Sequence, residues 1–463
     1  KKKKKTTNKY LTIDFHDDKG LGGVILFEGK DSLRAHSTIY NAIVNYKQNV
    51  IQSSHNIDSK NQSPISDPYE EIKKAKEFTG ADRVIVIMSG NFVQRGCPAI
   101  INKYDRSLHA LENGCDCVFE LPPVFSTASA ETFAKASVYF LHNLNCINYL
   151  CFGCEDNNLD LLKSIASILH DEPDEYKASL ALHLKSGNNY PVARQKALTD
   201  YLMSIDVNSN IADVLSKPNN ILAIEYIKAL IELNSPIVPV GINREGSGYN
   251  STSLNSSFAS ASGIREAFTN DVALDSIANH LSKAAFSSLL NEKEQNSLIK
   301  LNDFSSMLGL TLLNNDSFDK FNDINTDLSN RILNERANFY SFESFIEKLQ
   351  SKNYTYSRIS RTLMHIMLNI HSEDIDFYKK IGYLPVGRLL GFKKSSSDIL
   401  KHIKENSNVD IISKLSIYYK TSTGDIKKLL DNWLYCDSIY RLVYMNKSGK
   451  YMPTEFNYKI III

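Results

Sequence analysis

The residues best placed to do chemistry come in short polar blocks, each beside an apolar run. In residues 88–96, Ser89, Gly90, Asn91, Gln94, Arg95 and Gly96 follow the run Arg-Val-Ile-Val-Ile-Met. Glycines let backbone approach a ligand closely, and Asn, Gln and Arg add donors and a fixed charge. A structural turn fits that spacing equally well. Gly153 ends another apolar run, where bare backbone could face an adenine or ribose, or make a tight turn. Asn219 precedes an apolar helical stretch, and either caps it or reads a nucleoside. Arg244 lies beside Gly246-Ser247-Gly248, and a guanidinium pairs with phosphate oxygens as a fork. A surface Arg next to a turn is the alternative. Ser262 and Arg265 open a further helical pattern, where free N–H groups and the positive dipole end suit an anion. An ordinary Ser cap competes with that reading. Cys151 and Cys154 have C-x-x-C spacing, but no second pair or flanking His completes a zinc set. Small buried cysteines fit better, and seven sparse cysteines suit a reducing cytoplasm.

These blocks need a scaffold, and the apolar runs supply one. Residues 21–27, 83–88, 116–121, 147–152 and 237–242 are short, continuous and rich in Val, Ile, Leu or Phe. Such runs predict parallel strands covered on both faces. Residues 69–78 and 129–144 carry apolar positions at helical spacing between them. Alternating strands and helices over about 250 residues predict a doubly wound α/β domain, whose ligands sit at the carboxyl ends of the strands. Beyond Arg265 no Val/Ile run stands out. Helical patterns dominate there, as in 274–290, 341–349 and 358–370. The expected organisation is a disordered basic tail over 1–19, an α/β domain over 20–271 and a mainly helical region over 272–463. Residues 45–68 are rich in Ser and Asn with two prolines, which predicts a surface insertion.

Composition narrows the function classes. The 463 residues hold 53 Lys+Arg and 52 Asp+Glu, so bulk charge gives no sign of a histone-like polyanion binder. No apolar run reaches the roughly 20 residues of a membrane helix. Residues 1–5, all Lys, have no apolar stretch behind them and do not read as a secretory signal.

Taken in order, the blocks resemble the tRNA(Met) cytidine acetate ligase family of HIGH-type nucleotidyltransferases. The resemblance rests on 88–96 with Pro98-Ala99-Ile100, on Glu120-Leu121-Pro122 and on Ser129-Ala130-Glu131-Thr132-Phe133-Ala134. It continues through 152–155, Tyr190-Pro191-Val192-Ala193-Arg194, 218–222, 246–249, 260–265, 354–358 and Leu390-Gly391-Phe392. It implies a Rossmann-like nucleotidyltransferase sheet followed by a mainly α-helical, tRNA-binding C-terminal domain. It also implies the chemistry: ATP activates acetate as acetyl-adenylate, with Mg2+ on the phosphates, and the acetyl group passes to the wobble cytidine of elongator methionine tRNA. By the same resemblance His36, Arg244, Ser262 and Arg265 face phosphates, Gly153 and Asn219 the nucleoside, and Ser89, Asn91 and Gln94 the acetate or cytidine.

The chain departs from the family at its first motif, Glu-Tyr-Asn-Pro-Phe-His-Asn-Gly-His. Counted from Glu28, the second His is His36, but Ala35 replaces the Gly and Leu33 the first His. Leu33 cannot donate to a phosphate. A rival register puts Ile65-Ser66-Asp67-Pro68 there and loses both His. Cys97 and Asn250 are smaller departures, standing where an acidic residue and a His are usual. Two other functions therefore stay beside the ligase: a tRNA binder that has lost catalysis, and an adenylyltransferase acting on a small phosphorylated molecule. The charge balance favours RNA. Residues 331–463 hold 21 Lys+Arg against 13 Asp+Glu, a net +8 that leaves −7 for the remainder. A basic helical region attracts an RNA backbone.

Overall fold

The computed structural model describes residues 11–15, 23–26, 68–155, 158–205, 211–243, 281 and 283–463. The expected insertion 45–68, apart from Pro68, therefore lies outside the described residues, as do His36, Arg244, Ser262 and Arg265.

Along the chain, β1 (Leu11–Phe15) and β2 (Gly23–Leu26) precede α1 (Pro68–Thr79) and β3 (Val84–Ser89). A small hairpin of β4 (Phe92–Val93) and β5 (Cys97–Pro98) leads to α2 (Lys103–Glu112) and β6 (Cys117–Leu121). Then come α3 (Ala130–Asn143), β7 (Tyr149–Cys154), α4 (Leu159–Asp171), α5 (Asp174–Lys185), α6 (Tyr190–Ser204), α7 (Pro218–Glu232) and β8 (Val238–Asn243). In the C-terminal part α8 (Tyr356–Met367) and α9 (Ser372–Lys380) precede β9 (Val386–Phe392) and β10 (Asp410–Ile412). The long helix α10 (Gly424–Ser448) and β11 (Ile461–Ile462) close the chain.

Four of the five expected strands pair in parallel, β3 with β6 and β7 with β8. Their continuous apolar runs are buried on both faces, as in Val84, Ile85, Val86 and Ile87, none more than 3% exposed. The fifth expected strand is β2, which runs antiparallel to β1, β3 and β7. The first strand is β1, parallel to β3 and β7, and it lies inside the stretch expected as a disordered tail. Leu11-Thr12-Ile13-Asp14-Phe15 alternates apolar and polar residues, a strand signal masked by the lysines before it.

The C-terminal part is mainly helical and also returns three strands to the same sheet. β9 pairs antiparallel with β6, and β10 and β11 pair in parallel with β9, making the sheet mixed. The sequence of β9, Val-Gly-Arg-Leu-Leu-Gly-Phe, is neither an alternation nor a β-branched run. Its glycines are steric requirements: a Cβ at Gly387 would enter the Phe140 ring of α3.

The helices behave as their patterns predict. Ile72 and Ala75 of α1 are buried, and Ser129 caps α3 by accepting from Thr132 N–H. All seven cysteines are buried and unbridged. Among the described residues no helix is long and apolar enough to cross a membrane.

A second junction joins α8 to the β4–β5 hairpin. Gly96 turns with φ +70°, and a Cβ there would collide with the backbone of Ser360 and Arg361. The Ser360 hydroxyl donates to Gly96 O at 2.8 Å. Gly96→Ala is expected to lose about 2 kcal/mol or more of stability, since both conformation and space oppose it. Thermal unfolding checks this, and an unchanged Tm would contradict the close packing.

Candidate active site at the strand ends

The carboxyl ends of β3, β6, β7 and β8 lie on one edge of the sheet, where an open α/β sheet binds its ligands. Ser89 ends β3, and its buried hydroxyl has no hydrogen-bond partner among the described residues. A Cβ on the next residue, Gly90, would run into Glu120 Oε1. The buried Arg106 guanidinium holds this turn: Nη1 donates to Ser89 O at 3.1 Å, and Nη2 donates to Gly90 O. Gln94 and Arg95 are half-buried in the β4–β5 turn.

Asn91 faces inward. Its Oδ1 accepts from Lys103 N–H at 3.0 Å and its Nδ2 donates to Asp437 Oδ1 at 2.9 Å. Both ends of the amide are thus engaged by the protein itself, and Asn91 positions the loop.

Behind that loop lies a cluster of charges buried in the protein. Lys103 Nζ contacts Glu120 Oε1 at 2.8 Å, Asp437 Oδ2 at 2.5 Å and Glu455 Oε2 at 3.1 Å. Arg388 Nη1 lies 3.4 Å from Asp437 and 3.5 Å from Glu120, while its Nη2 pairs with Glu455 and donates to Tyr104 Oη at 2.7 Å. The indole of Trp433 donates to Glu120 Oε1 at 2.9 Å. Burial and Arg388 work against the Lys103 ammonium, but Asp437, Glu120 and Glu455 outweigh them and hold its pKa above the ordinary value. Burial likewise opposes the Glu455 carboxylate, which Arg388 and Lys103 nevertheless hold down at about 2. Burial, then Glu455 and Glu120, push Asp437 up to about 8 against Lys103 and Arg388. Two cations face three carboxyls, so one proton retained by the cluster brings it to neutrality.

β7 ends in Gly153 and Cys154, and Glu155 follows. Gly153 is half-buried, while Cys154 is buried and its Sγ donates to Ile242 O at 3.7 Å. The Glu155 carboxylate takes the amino end of α7. It accepts from Asn219 N at 3.3 Å, Asn219 Nδ2 at 2.8 Å and Asn220 N at 3.0 Å. Asn220 Oδ1 accepts in return from Glu155 N at 3.0 Å. An anion at a helix start is favourable, and here a side chain supplies it. Asn219 therefore meets the chain just past the end of β7 and shares its amide with Glu155. Arg194 of α6 pairs with the buried Glu225 of α7 at 2.9 Å.

The fold thus brings Ser89, Gln94, Gly153 and Asn219 to the strand-end edge. Sequence reasoning missed Lys103, Arg388, Asp437 and Glu455. The available signal was Glu120, a charge inside the apolar run Cys-Val-Phe-Glu-Leu, which demands a buried partner.

A family model described as HIGH Nucleotidyl Transferase matches residues 69–454, beginning beyond the Glu28–His36 stretch. A tRNA(Met) cytidine acetate ligase of Clostridium novyi is 39% identical over 383 residues, 82% of this chain and 92% of that relative. One of Halothermothrix orenii is 36% identical over 404 residues, 84% of this chain and 94% of that relative. The crystal structure of apo Thermotoga maritima TmcAL superposes with a TM-score of 0.80 at 28% identity, covering 85% of this chain and 96% of that one. TmcAL bound with alpha-thio ATP gives a TM-score of 0.78 at 28% identity, covering 85% and 95%.

Lys103→Met should cost about 3–5 kcal/mol, because it leaves three buried carboxyls with one cation, Arg388, in place of two. Chemical denaturation measures this, and a loss below about 1 kcal/mol would contradict it. The raised Asp437 carboxyl also sets a pH dependence. A carboxyl that binds its proton more tightly when folded contributes stability that is full below the unfolded value near 4. That contribution falls as pH rises toward about 8. The unfolding free energy of the native protein minus that of Asp437→Asn should therefore decrease between pH 5 and 8. An increase over that interval would overturn the assignment.

Proposed function

Because the chain belongs to the HIGH nucleotidyl transferases and to the tRNA(Met) cytidine acetate ligase family, we propose that it is an ATP-dependent acetate ligase acting on tRNA(Met). The observation that carries the reading is similarity that runs nearly end to end through the relatives, one of them solved with an ATP analogue. In the first step a carboxylate oxygen of acetate attacks the α-phosphorus and pyrophosphate leaves. In the second the exocyclic amine of the wobble cytidine attacks the acetyl carbon, loses a proton, and AMP leaves.

The positions of the described residues support the following roles. Gly153 offers backbone without a side chain near the end of β7 for the nucleoside, with Asn219 held to Glu155 just beyond that strand. The unpartnered Ser89 hydroxyl at the end of β3 is a donor for acetate or for the developing charge, with Gln94 nearby in the following turn. Asn91 serves this site from behind, by fixing the loop that carries both. His36, Arg244, Ser262 and Arg265 take the phosphates in this reading; all four lie outside the described residues. Among the described residues no group of three His, Cys, Asp or Glu is placed to hold a metal ion. Mg2+ arriving with ATP would offset phosphate charge as pyrophosphate leaves.

A second reading, tRNA binding without catalysis, rests on Leu33 and Ala35 in the first motif. One assay separates the two. Purified protein with ATP, labelled acetate and tRNA(Met) should release pyrophosphate in an acetate-dependent way and place label on the RNA. Absence of both would sink the ligase reading. Retained tRNA binding in that case, with ATP affinity restored by Leu33→His and Ala35→Gly together, would establish the second.

A further inference from the structure

Two half-buried arginines near the start of α8, Arg358 and Arg361, have no part in the site described above. Three residues apart, they lie on one face of that helix. Arg361 Nε donates to Asp323 Oδ2 at 3.4 Å, and its two terminal nitrogens make no hydrogen bond among the described residues. Arg358 has no carboxylate within ion-pair distance among the described residues, and its guanidinium lies over the Tyr354 ring, 5.0 Å from the centroid. Tyr354 is 5% exposed and its hydroxyl donates to Asp327 Oδ2 at 2.8 Å, so the ring beneath Arg358 is itself fixed. Both arginines bear on Asp323: burial would raise its carboxyl, and His365, Arg361 and Arg358 hold it below the ordinary value. Exposed Lys352 stands in the turn just before α8. Asp323 and Asp327 offset only part of this charge, and guanidinium forks fit phosphate oxygens.

The position of the pair narrows the anion. Ser360 and Arg361 abut Gly96 at the tip of the β4–β5 hairpin. His365 Nε2 lies 3.0 Å from Thr127 O, in the segment that follows β6. The start of α8 therefore stands beyond the carboxyl ends of β3 and β6. The hairpin strands are two residues long, so its tip is about 7 Å from Asn91 at its base. Gly153 and Asn219 are on another part of the edge: β1 lies between β3 and β7, which sets those two strands about 10 Å apart. The arginines thus flank the side that the reading above gives to acetate and cytidine, away from the nucleoside of ATP.

We propose that Arg358 and Arg361 hold backbone phosphates of the bound tRNA beside the reacting cytidine. The inference rests on the tRNA reading above. Phosphate contacts position a nucleic acid without reading its bases, so this pair would set where the cytidine stands relative to the Ser89 loop. Charge on the opposite edge of the sheet should contribute little. Exposed Lys401, on the helix Ser397–Asn406, supplies the contrast. That helix follows Lys393, whose N–H donates to Asp116 O just before β6 begins.

Fluorescence anisotropy with labelled tRNA(Met) over a range of salt concentrations tests the proposal. Arg358→Ala should raise Kd about 5- to 10-fold and reduce the slope of log Kd against log salt by about one. Lys401→Ala should keep the native Kd and slope. Arg358→Lys, which keeps the charge, should recover the slope, and that recovery separates a lost phosphate contact from misfolding. Native Kd and slope in Arg358→Ala, or an equal loss in Lys401→Ala, would overturn this inference alone. So would weaker ATP binding by Arg358→Ala at native tRNA affinity, which would assign the guanidinium to the triphosphate. Failure of the native protein to bind tRNA would overturn the reading beneath it as well.

Discussion

Three carboxyls and two cations buried together form the constraint on which the rest of this structure depends. Lys103 comes from the start of α2, Glu120 from β6, Arg388 from β9, Asp437 from α10 and Glu455 from the closing segment. Displacing either cation leaves carboxylates buried without full compensation, which is costly in a low-dielectric interior. The cluster thus ties five distant stretches of chain to a single arrangement. Apolar packing alone would tolerate small slips that this arrangement does not.

The arrangement matters for chemistry because it reaches the strand-end loop through one amide. Asn91 bridges Asp437 and the Lys103 backbone, and Arg106 fixes the two carbonyls just before it. Ser89 and Gln94 therefore sit on a loop held from beneath by charge and from the side by the Gly96–Ser360 contact. Reacting groups must be held to within a fraction of an ångström, and a loop fixed at both flanks meets that need. The Glu155 junction with α7 does the same on the β7 side.

Much of this was legible in the sequence, for identifiable reasons. The strands β3, β6, β7 and β8 announce themselves because burial on both faces requires continuous apolar runs. Ser89, Gly153 and Asn219 were legible as strand-end residues because each borders such a run or an apolar helix. β9 was not, because Gly387 and Arg388 answer to Phe140 and to the charge cluster rather than to strand propensity. β1 was hidden by its lysine-rich neighbourhood. The sequence alone suggests a ligand-facing Asn91, because an amide in a loop looks alike whichever way it points. Its direction is set by Asp437, 346 residues away, and no local spacing encodes that.

The antiparallel seam between β6 and β9 also bears on how the molecule comes into being. Val118 lies opposite Gly391, so an interior position of the sheet stays open until most of the chain exists. On a ribosome, the strands made first would wait with β6 exposed along one side. Contacts this remote in sequence slow folding and prolong exposure of an unpaired strand. A fragment ending before β9 would carry a bare edge along β6.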